Sequence, residues 1–167
     1  MKALVNIKKA PFEIGQILAN NTRICGYLVD DTSNPQPVSK TFQELLNNKY
    51  ITIYPPISDG ELESQHTRNT YITILLDNID LHATDENYGV TGNIFVITDV
   101  NHILLDNNRN RLLELADEIY QTLEDKKIKS AGAIHVSSIN YTMIDTFSAG
   151  YRINFTFSDQ QNGSVMF

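Results

Sequence analysis

The chain has 167 residues, a formal net charge of −7, one cysteine and no tryptophan. This length fits a single domain with a substantial core, so folding requires no disulfide and no metal. The excess of acidic residues argues against a general nucleic-acid binder, which needs basic side chains to contact phosphates. The single cysteine suits a reducing compartment. We expect no signal peptide and no membrane span, because no apolar run approaches the roughly 18 residues of a membrane helix.

Residues 1–38 differ in pattern from the rest of the chain. Short apolar runs at residues 4–7 and 23–29 predict strands, and Pro11 can start a helix between them. Residues 31–37 contain two prolines and several turn-forming residues, which end regular structure. We therefore predict that residues 1–38 form an N-terminal arm that packs partly on a neighbouring chain.

The next segment predicts a short helix followed by three strands. Ser39 can cap a helix over residues 40–48, and residues 50–54 have the composition of a strand that two prolines then stop. Residues 71–77 and 92–98 are apolar on both faces, which is typical of central strands.

The most regular pattern in the chain predicts a helix over residues 109–125. Its apolar residues recur at the spacing of one buried helical face, and charged residues such as Arg111 and Glu118 are expected on the opposite, solvent-facing side. The buried stripe consists of Leu112, Leu115, Ala116, Ile119 and Leu123.

Two strands are predicted after this helix. The first covers residues 131–143, with a bend or bulge near residues 137–138, and the second covers residues 151–158, where apolar and polar side chains alternate. We therefore predict an α+β fold, in which one long amphipathic helix packs on a face of a mostly antiparallel sheet. The predicted domain spans residues 39–158, and residues 159–167 form a C-terminal tail.

No motif in the sequence indicates a particular catalytic chemistry. The four histidines lack the helical spacing of metal ligands, and the glycine patterns of phosphate-binding and nucleophile loops are absent. An acidic group at Asp77, Asp80, Asp85 and Glu86 could offer oxygen ligands, but its spacing does not match a calcium-binding loop. We predict a solvated loop with no catalytic residue, cofactor or metal. A small acidic metal-dependent enzyme is the alternative.

Five segments share their order and their pattern of apolar and polar residues with a known group of phage proteins. They are TFQELLNN at 41–48 before the Tyr-Pro-Pro at 54–56, RNTYITILLD at 68–77, GNIFVITD at 92–99, RNRLLELADEIYQTLEDK at 109–126 and GYRINFTFSD at 150–159. In this arrangement the chain resembles phage tail-terminator and tail-completion proteins, and the expected fold is tail-terminator-like.

The resemblance implies a structural protein of the virion, assembled in the host cytoplasm, and not an enzyme. Such proteins form homo-oligomeric rings, often sixfold, that join the tail to the head and let DNA pass through the lumen without specific binding. Neighbouring neck, portal-side or tail-tube proteins are the expected partners.

Loops that project from a rigid sheet usually carry binding functions, so we expect contacts in the connector between the two central strands. The candidate interface residues there are Asp80, His82, Asp85, Glu86, Asn87 and Tyr88. A non-viral adaptor domain that binds another protein at a sheet edge is a further alternative.

Overall fold

A computed structural model describes residues 7–53, 68–80 and 89–158 of the chain. The helices are α1 (Ala10–Ala19), α2 (Thr22–Val29), α3 (Phe42–Asn47) and α4 (Arg111–Leu123). The strands are β1 (Ile51–Thr52), β2 (Thr70–Asp80), β3 (Gly89–Asp99), β4 (Lys127–Ile128), β5 (Gly132–Met143) and β6 (Ser148–Ser158). None of the described helices is both long enough and apolar enough to cross a membrane.

All six strands belong to one mixed sheet, which curls into a half-barrel with the strand order β1-β2-β3-β6-β5-β4. β1 pairs in parallel with β2, and the remaining pairs are antiparallel. Register shifts occur between Leu76 and Asn78 in β2 and between Val136 and Ser138 in β5. Bulges of this kind bend a strand and increase its twist, which favours the curl. The predicted bulge near residues 137–138 is confirmed.

The predicted fold class is wrong in its central feature. We expected one long amphipathic helix on a mostly antiparallel, tail-terminator-like sheet, whereas the structure is a curled mixed sheet with short helices. The longest described helix, α4, has 13 residues. It shares the covering of the sheet with α1 and α2, which pack on β2 and on α4. A curled sheet offers a concave apolar surface that several short helices can fill better than one straight helix.

The strand predicted over residues 23–29 is also wrong, because this segment is helix α2. The side chain of Asn21 caps the helix by accepting hydrogen bonds from the amides of Arg23 and Ile24 at 2.9 and 3.2 Å. Gly26 in its middle allows a close backbone approach, since a Cβ atom there would lie 2.2 Å from the carbonyl oxygen of Gln36. The helix is therefore specified by its cap and by tertiary packing.

Helices α1 and α2 are buried in the same core as the sheet. Ile14 and Leu18 of α1 and Leu28 of α2 are fully buried, in one cluster with Ile72 and Ile153 from the sheet. In the segment predicted as an arm, α2 is followed by residues 30–38, which form neither helix nor strand. In the described part of this segment, the exposed faces of α1 and α2 and the exposed residues within 30–38 are available to a neighbouring chain.

Helix α4 begins two residues later than predicted. Asn110 caps it by accepting hydrogen bonds from the amides of Leu112 and Leu113, and every residue of the predicted apolar stripe is buried. The expectation that Arg111 and Glu118 face solvent is wrong, because both are buried. The segment of residues 21–32 contacts Arg111 and Glu118, whereas Asp117 and Gln121 on the same predicted side are exposed.

Arg111 connects three parts of the chain through its guanidinium group. The Nε atom donates to the carbonyl of His102 at 2.9 Å, and Nη1 donates to the carbonyls of Tyr27 at 2.9 Å and Asp30 at 2.8 Å. The Nη2 atom donates to the carbonyl of Thr32. Desolvation by burial lowers the pKa of Arg111 from its ordinary value. These bonds fasten the end of α2 to the start of α4.

Candidate functional site

The interface predicted from the sequence lies almost entirely outside the described residues. β2 ends at Asp80 and β3 begins at Gly89, while His82, Asp85 and the range 86–88 fall between the described segments. The assignment of contacts to this connector therefore stays a prediction.

The hairpin formed by β5 and β6 is a second candidate, and its geometry is fully described. Residues 144–147 join the two strands, and the carboxylate of Asp145 accepts hydrogen bonds from the amides of Phe147 and Ser148, both at 2.7 Å. The amide of Ile144 donates to the carbonyl of Ser148 at 3.1 Å. The turn is thus held by its own hydrogen bonds and presents its side chains from a fixed backbone.

Large apolar side chains are exposed along this hairpin. Tyr141, Met143 and Phe147 expose 59, 66 and 69% of their surface, and Ile139 and Ile144 are also exposed. We call these five residues the hairpin surface. None of them carries a charge, although the whole chain has a net charge of −7.

The three strand residues of the hairpin surface continue the core-facing side of the sheet. Ile139, Tyr141 and Met143 alternate along β5, so their side chains lie on one face. Their partners across the strand pair are Ile153, Tyr151 and Ala149 of β6. Ile153 and Ala149 are buried in the core, and the rings of Tyr141 and Tyr151 meet edge to face at 5.7 Å. The apolar face of the sheet therefore extends beyond the helices that cover it.

The outer edge of β5 lies next to this surface. β4 pairs only with residues 132 and 133 of β5, and among the described residues no strand pairs with that edge farther along. Residues 137–143 contain no charged residue and no proline. Charged side chains and prolines usually protect an exposed sheet edge from pairing with another chain. The hairpin thus offers a partner an apolar face and an uncharged edge, which follows the bulge between Val136 and Ser138.

The chain matches the family model named YomW over residues 21–157. It belongs to the YomW family. This family is associated with phage regions of Bacillus. No curated protein matches the chain at a significant level.

The part of the chain that YomW proteins share begins at the cap of α2 and ends within β6. It therefore includes α2, which the sequence pattern assigned to a separate arm, as well as the whole of the β5–β6 turn. Both the helical covering and the hairpin surface lie within the family unit.

A separate group of polar side chains lies where α4 ends beside β5. Among the described residues, Glu124, Asp125 and His135 form the group of three potential metal ligands. The Nδ1 atom of His135 lies 3.3 Å from Oδ1 of Asp125 and 3.7 Å from Oε1 of Glu124. The sequence analysis missed this group because its members are ten residues apart. The short connection through β4 was the available signal that the helix end and the strand start are neighbours.

The remaining candidates are His102 and Cys25. His102 lies in the 3₁₀ turn that follows β3, and its Nε2 atom is 3.4 Å from the side-chain nitrogen of Asn69. Its buried Nδ1 atom has no hydrogen-bond partner among the described residues and lies 3.8 Å from Oδ1 of Asp99. Cys25 is fully buried, and its thiol donates to the carbonyl of Ala19 at 3.2 Å. Burial raises the pKa of the Cys25 thiol, so the reactive thiolate is disfavoured.

Proposed function

We propose that this YomW-family protein is a structural subunit of a phage particle, which assembles with copies of itself into a ring at the head–tail junction. The observation that supports this most strongly is the hairpin surface. The largest apolar patch on a monomeric protein typically covers about 300–600 Å² and often serves binding. Association with phage regions supplies the biological setting.

The hairpin surface has the size and composition of an interface centre. A tyrosine or phenylalanine side chain covers roughly 150–250 Å² when buried, so five large apolar side chains at these exposures present on the order of 500 Å². A stable interface buries roughly 800 Å² on each partner. Aromatic residues and methionine are enriched in interface centres, and charged residues are depleted there. Pairing at the edge of β5 would supply further contact area.

The occupant that we propose for this surface is a second copy of the chain. If the hairpin surface of one subunit contacts a different surface on the next, each added copy presents the same hairpin surface again. Such a series forms a ring when the rotation between neighbouring subunits closes, and a filament when it does not. A subunit with a net charge of −7 suits a ring that surrounds DNA, because a negatively charged lumen repels phosphates and limits sticking.

Disruption of the gene in its phage tests this function. Without the subunit, we expect electron microscopy to show separate heads and tails in place of joined particles. The wild-type gene should restore joined particles, whereas a Tyr141→Ser/Met143→Ser gene should not. The control is Asn140→Ser, which changes an exposed residue on the opposite face of the same strand. Joined, infectious particles in the absence of the gene would contradict the proposal.

A protein-binding adaptor is the second candidate. The observation that favours it is the uncharged edge of β5, which pairs with no described strand beyond residue 133. An extended peptide could add to this edge as another strand. An adaptor would be a monomer that binds an unrelated peptide, whereas the proposed ring subunit associates with itself. The mass of the purified chain in solution therefore separates the two.

A further inference from the structure

We propose that Glu124, Asp125 and His135 form a binding site for a divalent cation of the zinc class. The Nδ1 atom of His135 lies 3.3 and 3.7 Å from the nearest oxygens of Asp125 and Glu124. Ligand atoms at the corners of a tetrahedron, each about 2.0–2.1 Å from Zn²⁺, are about 3.3 Å apart. The separation between His135 and Asp125 matches one edge of such a tetrahedron. The Oε1 atom of Glu124 lies slightly farther from His135, so a small side-chain shift would bring it to a third corner.

The backbone holds the three ligands on two segments that are tied together. The amide of Asp125 donates to the carbonyl of Ile134 at 2.9 Å, and the amide of Ile134 donates to the carbonyl of Lys126 at 2.9 Å. His135 follows directly in β5. The geometry therefore does not depend on a flexible loop.

Glu124 is also oriented by a hydrogen bond outside the ligand group. Its Oε2 atom accepts a hydrogen bond from the amide of Val136 at 2.8 Å, while Oε1 faces His135. Support of this kind, which fixes the direction of a ligand, is common around protein metal sites. One carboxylate oxygen is thereby left for the cation.

The donor set distinguishes among cations. One imidazole nitrogen and two carboxylates suit Zn²⁺ and related transition metals, whereas Mg²⁺ and Ca²⁺ prefer oxygen ligands alone. Asp125 is exposed, and Glu124 and His135 are half-buried, so a cation could reach the site and keep a water ligand in the fourth position. A cation bound there would join the end of α4 to the strand that carries the hairpin surface.

Metal titration of the full-length, tag-free chain tests the proposal. After treatment with a chelator and its removal, ZnCl₂ is titrated in competition with a chromophoric zinc indicator. We expect one Zn²⁺ per chain with micromolar affinity, and an affinity lowered about tenfold or more by His135→Ala and by Asp125→Asn. MgCl₂ should not compete. Co²⁺ bound in the same place should show the visible absorption bands of a tetrahedral nitrogen–oxygen site.

The matched control is His102→Ala, because His102 also lies near a carboxylate, that of Asp99, but belongs to no group of three potential ligands among the described residues. This variant should bind Zn²⁺ as the wild type does. The proposal is overturned if the wild type binds no Zn²⁺ at millimolar concentration. It is also overturned if the wild type, His135→Ala and Asp125→Asn bind Zn²⁺ with equal affinity. Should His135→Ala not fold, as judged by circular dichroism, His135→Gln replaces it with the same expected loss.

Discussion

The side chain of Arg111 is buried, although its position in the helical pattern predicts that it faces solvent. A buried cation that donates to four backbone carbonyls stabilises the fold only while all of these bonds are made. Arg111→Ala leaves the buried carbonyls without donors, and we expect a loss of about 3–5 kcal/mol in the free energy of unfolding. Arg111→Lys should also destabilise, because one ammonium group lacks the planar fork of donors.

Urea denaturation followed by circular dichroism measures both variants. Arg152→Ala is the control, because Arg152 is exposed on β6 and its removal should change the free energy of unfolding by less than about 0.5 kcal/mol. Equal effects of the Arg111 and Arg152 substitutions would contradict the proposed role of Arg111.

Asp30 gives the fold a dependence on pH. Its carboxylate accepts a hydrogen bond from the hydroxyl of Thr32 at 2.7 Å, and others from the amides of Thr32 at 3.0 Å and Gln36 at 3.1 Å. The hydrogen bond from the hydroxyl of Thr32 is the largest cause that lowers the pKa of Asp30. The amide hydrogen bonds and the positive charge of Arg111 lower it further.

A carboxyl group with a lowered pKa in the folded chain stabilises the fold above its unfolded pKa, near 3.9. That stabilisation is lost as the pH falls through the lower, folded pKa. Asp30→Asn should therefore be less stable than the wild type at pH 6, and the difference should shrink as the pH is lowered toward 2. Denaturation curves measured across this range test the prediction, which a difference independent of pH would contradict.

At the scale of elements, the covering of the sheet by α1 predicts that buried residues of this helix stabilise the whole fold. Leu18 is fully buried, whereas Phe12 on the same helix is 41% exposed. We expect Leu18→Ala to cost about 2–5 kcal/mol and Phe12→Ala much less, as measured by urea denaturation.

Deletion of residues 1–38 is the stronger form of this test. It removes α1 and α2 from the shared core and exposes apolar surface on α4 and β2. The shortened chain should bind a hydrophobic dye and lose its cooperative thermal transition. A soluble chain that unfolds cooperatively would instead support the separate arm predicted from the sequence.

Elements with a clear local pattern could be predicted from the sequence. The periodicity of α4 and the apolar runs of β2 and β3 identified these elements to within a few residues. α2 was missed because its apolar run is short and because the sequence does not show that residues 36 and 37 lie over Gly26. The parallel pairing of β1 with β2 is a contact between distant segments, which local pattern does not encode.

At the scale of the whole molecule, the sequence pattern predicts a self-associating subunit whose contacts lie in the polar connector between β2 and β3, because loops usually carry binding functions. That assignment stays a prediction, and the hairpin surface is a second candidate that the structure adds. The alternation of Ile139, Tyr141 and Met143 in β5 is equally compatible with a core strand. The positions of the described helices show that they do not cover this stretch of the sheet.

Sedimentation of the purified full-length chain tests the central claim, that the hairpin surface binds a second copy. We expect the wild type to form a discrete oligomer with a mass several times the 18.9 kDa of one chain, and Tyr141→Ser/Met143→Ser to sediment as a folded monomer. Asn140→Ser, on the opposite face of β5, should retain the oligomer. A wild-type chain that remains a monomer at about 100 μM, well above the dissociation constants of stable complexes, would contradict the account, as would a double variant with an unchanged oligomeric mass.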